Sequence, residues 1–222
     1  MSKTYLGYYG MQNLGDDLML KTLLESSTNE KINVIQFKNN PLPDQNGNVT
    51  FLTWPEGKLA KVLFAIKFIL RSKELIFGGG TCFTDEDGDG FFKYMVIGKL
   101  LGRKVKYRAI GVGNLKRNSR ILKTKILLNI ADEITVRDEQ SLIRVKKILG
   151  KNKRQIFKED DLAIKSILNI ISKEKFRKNS EEPYIALGWR NLERYNCNEW
   201  NNPSHVVEYI LKLSKDKGLN KV

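Results

Sequence analysis

Six short segments of the chain carry residue types suited to chemistry, and each follows a run that reads as a β-strand or continues one. The first, residues 7–17 (GYYGMQNLGDD), joins glycines, which let a backbone approach a ligand closely, to Asn13 and the carboxylates Asp16 and Asp17. Asp16 is also well placed to cap the helix that follows. The second, residues 76–85, holds the triglycine Gly78, Gly79 and Gly80, followed by Thr81 and Cys82. Three glycines after a strand are expected to expose backbone N–H groups to an anion, although a tight strand-to-helix turn calls for glycine too. Gly10 and Asn13 in the first segment, and Gly78 to Thr81 in the second, are therefore candidate substrate contacts.

The third segment ends a strand in Gly111 and Gly113, and the fourth ends one in Arg137. A guanidinium at a strand's carboxyl end points into the crevice where doubly wound sheets bind ligands, and its fork suits a carboxylate or a phosphate. The plainer reading is a surface arginine paired with Asp138 or Glu139; Asp138 itself reads as a helix cap. Asp160 and Asp161 form the fifth segment and fit a cap or the crevice equally. Arg190 closes the sixth, LGWR, and is read as facing the first domain across a cleft. Cys82 reads as a small packing residue, since no histidine lies nearby in sequence to activate it. His205, the single histidine, reads as a surface or packing residue of a helix. Cys82 and Cys197 form no C-x-x-C pair, so neither a disulfide framework nor a zinc site is indicated. The glycines do not spell G-x-G-x-x-G, so a dinucleotide cofactor is not supported.

The elements that must position these residues alternate. Short apolar runs predict strands over 4–9, 32–37, 49–52, 74–77, 104–110, 133–136 and 155–158. Apolar residues at helical spacing predict helices from 17, and over 58–71, 91–101, 119–130, 138–149 and 161–171. Such alternation argues for an α/β fold, a Rossmann-like parallel sheet with flanking helices. Residues 172–182 are charged, lack apolar periodicity and read as a linker. Residues 1–175 are thus expected to form an N-terminal Rossmann-like domain. Residues 176–222 are expected to hold the linker and the start of a second α/β domain. One strand and one helix cannot build a core, so the chain is expected to stop early in that domain.

Lysine and arginine number 39 against 25 acids, a net charge of +14. A basic surface attracts nucleic acid, anionic lipid or phosphorylated small molecules. The cations are scattered and form no binding arm, which fits compositional bias better, and no nucleic-acid-binding motif appears. No secretory signal is visible, and the greasiest stretch, 59–70, is interrupted by Lys61 and Lys67 and falls short of the ~20 residues a membrane span needs. A cytoplasmic protein is expected. The basic helix over 58–71 is its one candidate for peripheral membrane contact at the inner face, though its broad apolar face fits a core helix better.

In their order, the pieces GYYGMQNLGDD, ELIFGGGTCFTDED, AIGVGNL, EITVRDEQSL, Asp161 and IALGWRN resemble the polysaccharide pyruvyl transferase family, from residue 5 to about 191. The resemblance implies a two-domain fold like that of GT-B glycosyltransferases, with no metal or organic cofactor. It implies transfer of pyruvate from phosphoenolpyruvate to a pair of sugar hydroxyls, giving a ketal on a cell-surface or cell-wall polysaccharide or its precursor, free or lipid-linked. In that chemistry Arg137 and Arg190 suit the donor's carboxylate and phosphate, and Asp16 is the first candidate base. The family draws its acid from the second domain, and His205 falls in no matching motif, so the chain alone is expected to be inactive. Two other classes stay open: a GT-B-type glycosyltransferase using a nucleotide sugar, and a non-catalytic sugar- or polyanion-binding module.

Overall fold

Strand–helix alternation in the sequence becomes parallel strand pairing in the structure. A computed structural model describes residues 2–11, 13–27, 30–37, 47–85, 90–150, 155–173 and 203–216. The elements run β1 (Ser2–Leu6), α1 (Leu14–Glu25), β2 (Ile32–Gln36), β3 (Val49–Thr53), α2 (Lys58–Arg71), β4 (Ser72–Gly78) and β5 (Thr81–Phe83). They continue α3 (Phe92–Leu100), β6 (Lys104–Val112), α4 (Asn118–Ile130), β7 (Glu133–Val136), α5 (Glu139–Leu149), β8 (Phe157–Lys158), α6 (Leu162–Lys173) and α7 (Pro203–Asp216). The sheet order is β3-β2-β1-β4-β6-β7-β8, with β5 pairing beside the end of β6. Every strand pair is parallel. With β5 set aside this is the doubly wound Rossmann order, whose direction of winding switches between β1 and β4.

Period-2 side-chain alternation feeds two cores, one on each face of the sheet. On β4, Leu75 and Phe77 enter the core beneath α2 to α5, while Ile76 enters the core beneath α1. Helices α2, α3, α4 and α5 pack in succession on the first face; α1 packs on α6 on the other. On β6 the alternation slips. Val105 and Tyr107 face the first core, Ala109 the second, then Ile110 and Val112 the first again. The register with β7 shifts between Tyr107 and Ile110, and Ala109 sits at φ 47°, a left-handed conformation costly for a residue with a Cβ. This bulge re-aims the end of β6. The strand also runs two residues past the predicted 104–110, to Val112, so Gly111 lies within it.

Helix α2 departs from expectation too. It fully buries only Ala65, Phe68 and Ile69 and leaves five large apolar side chains exposed. The chain divides into two compact units, Met1–Glu174 and Lys175–Val222. The described part of the second is α7, which carries His205 exposed.

Candidate functional site

The carboxyl end of β1 leads into the first candidate segment. Gly10 turns the chain at φ 73°, which glycine adopts without steric cost, and its N–H donates to Asp17 Oδ1 at 3.3 Å. Asn13, not Asp16, caps α1. Its extended backbone accepts the Asp17 N–H at 3.1 Å and its Oδ1 accepts the Gly15 N–H at 3.1 Å. The other end of the same amide donates to Asp16 Oδ2 at 2.7 Å. Asp16 is thereby oriented in the first turn with Oδ1 toward the triglycine. Burial, reinforced by the neighbouring Asp17 carboxylate, pushes its carboxyl up to about 6, against the Asn13 hydrogen bond and the Arg137 charge.

The triglycine does not leave its amides open to an anion, contrary to the sequence expectation. Gly79 N–H donates to Arg108 O at 2.7 Å, and Gly80 N–H lies 3.1 Å from Met19 Sδ. Gly80 O accepts the Gly111 N–H at 2.8 Å. Gly79 and Gly80 both take left-handed φ, and a side chain at Gly78 or Gly79 would collide with Leu23 or Met19 of α1. The glycines thus let β4, β6 and α1 close together, giving a floor without side chains. A Cβ on Gly80 would stand 3.4 Å from Asp16 Oδ1, so floor and carboxylate adjoin at the switch point.

Arg137 leaves the end of β7, its N–H held by Ile110 O at 3.2 Å. Nη2 donates to Thr81 Oγ1 at 2.6 Å and Nη1 to Asp161 Oδ2 at 3.0 Å; Nε lies 3.6 Å from Asp138 Oδ2. Gly111 makes room for it, since a Cβ there would stand 2.9 Å from both Arg137 Nε and Thr81 Oγ1. A guanidinium has five N–H donors, so part of the fork remains for a planar acceptor. Asp138 caps α5 by accepting the Ser141 N–H at 2.6 Å. Although burial acts the other way, that bond and the Arg137 charge hold its carboxyl below the usual range. Gly113 closes the β5–β6 pairing, its N–H donating to Phe83 O at 2.8 Å.

Asp161 does both things the sequence left open: Oδ1 accepts the Ala163 N–H at 3.0 Å while Oδ2 holds Arg137. Beneath the rim lies a network that sequence reasoning missed. Arg108 donates through Nε and Nη2 to Glu159 at 3.0 and 2.7 Å. Thr135 Oγ1 donates to the same carboxylate at 2.9 Å and accepts the Ala109 N–H at 2.7 Å. It ties down the strained bulge. Arg108 and Glu159 are 51 residues apart, so no local pattern marks the pair. Cys82 is buried, and burial pushes its thiol up and keeps it un-ionised, in line with a packing role. Arg190 and Cys197 lie outside the described residues. Among the described residues, no three His, Cys, Asp or Glu side chains gather as a metal ion would require. No described helix is long and apolar enough to cross a membrane.

The structure therefore brings Gly10, Asn13, Asp16, Gly78 to Thr81, Gly111, Gly113 and Arg137 to one rim of a parallel sheet. That rim is where doubly wound folds hold ligands. No curated protein and no solved structure matches the chain. The sequence profile of the polysaccharide pyruvyl transferases matches residues 13–214, most of the chain and every rim residue named above except Gly10. The chain belongs to the polysaccharide pyruvyl transferase family.

Proposed function

We propose that this protein transfers pyruvate from phosphoenolpyruvate to two hydroxyls of an acceptor saccharide, and that the β1–β4–β6–β7 rim is the site. The observation that carries the reading is the meeting of a half-buried carboxylate, Asp16, with a glycine floor and a guanidinium, Arg137, on that one rim. The two hydroxyl oxygens bond to C2 of the donor, and the bond from C2 to the phosphate oxygen breaks. One hydroxyl proton is balanced by protonation of the methylene carbon, which becomes methyl; the other leaves with inorganic phosphate.

Asp16, ionised above about pH 6, accepts a hydroxyl proton. Asn13 orients it. Arg137, braced by Thr81 and Asp161, holds the donor's carboxylate or phosphate. Gly10 and Gly80 leave the sugar room at the rim, and Gly79 lets α1 pack beneath it. Arg190 is the second candidate cation for the donor. Residues 1–175 act as an N-terminal Rossmann-like domain, and residues 176–222 belong to a second α/β domain. The acceptor is a precursor of a cell-surface or cell-wall polysaccharide, and a phosphorylated donor of this kind points to the cytoplasm. The test is phosphate release from phosphoenolpyruvate with a panel of acceptor saccharides. Acceptor-dependent release supports the proposal. Nucleotide release from a nucleotide sugar, with none from phosphoenolpyruvate, favours a glycosyltransferase instead.

A further inference from the structure

Helix α2 has two apolar faces, and only one serves the core. Ala65, Phe68 and Ile69 are buried, whereas Leu59, Val62, Leu63, Ile66 and Leu70 are exposed, Leu59 at 73% and Leu63 at 60%. Their spacing of three and four residues aligns the exposed five in one stripe. The same helix carries Lys58, Lys61, Lys67 and Arg71 and no acid. Helices α3 and α4, next in the same layer, also carry lysine or arginine and no aspartate or glutamate. Among the described residues bordering this face, Glu56 is exposed just before α2, Asp85 is held by the Lys116 and Arg117 N–H groups, and Asp132 by the Val105 N–H and Lys99, so cations outnumber acids.

We propose that the α2–α3–α4 face docks on an anionic lipid bilayer, with the α2 stripe entering the boundary between headgroups and acyl chains. Apolar stripe and cations together match that surface. Nucleic acid would leave the stripe in water. A second copy meeting the same patch across a two-fold axis would set cations against cations. Because α2 follows the carboxyl end of β3, Leu59 lies toward the rim that carries the candidate site. The docking does not depend on the pyruvyl-transfer reading.

Flotation of the full chain with phosphatidylcholine vesicles, with and without phosphatidylglycerol, tests this. Binding is expected only to the anionic vesicles and to weaken with salt. Each cation near such a surface raises partitioning about fivefold, so Lys61→Gln with Lys67→Gln should lower it roughly 10- to 25-fold. Leu63→Glu with Ile66→Glu should abolish it, and both pairs should melt as wild type because the side chains are exposed. The proposal is overturned if wild type ignores anionic vesicles or if both variants bind them fully. It is also overturned if Leu63→Glu converts a dimer to monomer while no form binds vesicles.

Discussion

Replacing Gly111 by alanine tests how the rim holds its cation. The added methyl would stand 2.9 Å from Arg137 Nε and Thr81 Oγ1 and 3.1 Å from Arg137 Nη2. Comfortable non-bonded contact begins near ~3.5 Å, so these side chains must withdraw by roughly half an ångström. The withdrawal falls on the 2.6 Å bond between Arg137 and Thr81 and on the 3.0 Å bond to Asp161. One hydrogen bond to a charged group contributes about 1.5–3 kcal/mol, so donor affinity should fall roughly 10- to 150-fold. The fold should survive, because Gly111 is not in the left-handed region and the groups in the way are side-chain ends. A stability loss of about 1 kcal/mol or less would lower Tm by about 2–4 °C. Titration calorimetry with phosphoenolpyruvate and a melting curve measure both. In an Arg137→Ala background the methyl meets no guanidinium, so the two losses should not add. Wild-type affinity in Gly111→Ala, or fully additive losses, would refute the reasoning.

Three further outcomes follow from the same geometry. Asp16→Asn should cut turnover by about 10²-fold or more with the fold intact, and the wild-type rate should rise with pH through about 6. Its proton is held more tightly in the folded chain, so the stability that proton contributes is complete below the ordinary value of 3.8 and lost as pH rises through about 6. The variant should therefore melt above wild type at neutral pH, with the gap closing in acid. Arg137→Lys should weaken phosphoenolpyruvate binding about tenfold or more in calorimetry, since an ammonium cannot reproduce the fork that meets Thr81 and Asp161. Glu159→Ala should cost about 2 kcal/mol in denaturant melts, below the range for a fully buried pair because Arg108 keeps some solvent contact. Burial works against ionisation of Glu159, but the Arg108 and Thr135 bonds hold its carboxyl below its usual value. That contribution is present above the unfolded value and vanishes as pH falls through the folded one, so variant and wild type should converge in acid.

The sheet and its rim were legible because apolar periodicity is local: Glu133–Val136 appears as read, and neighbouring elements shift by only a few residues. What the sequence hid depends on distant partners. Strand β5 spans three residues, too short to show a period. The triglycine amides looked open because their acceptors, Arg108 O and Met19 Sδ, come from other elements. Asn13 and Asp16 both suit a helix start, and only the extended backbone at Asn13 decides between them. The Ala109 bulge is equally silent in sequence, yet it sets where Gly111, and hence Arg137, comes to lie.

The central claim is that the donor binds where Asp16, the glycine floor and Arg137 converge. A crystal structure of the protein with phosphoenolpyruvate tests it most directly. The donor's carboxylate or phosphate is expected against the Arg137 guanidinium, with its three-carbon unit over Gly80 and Gly111 and within reach of Asp16. Donor density at another edge of the sheet, with this rim unoccupied, would contradict it.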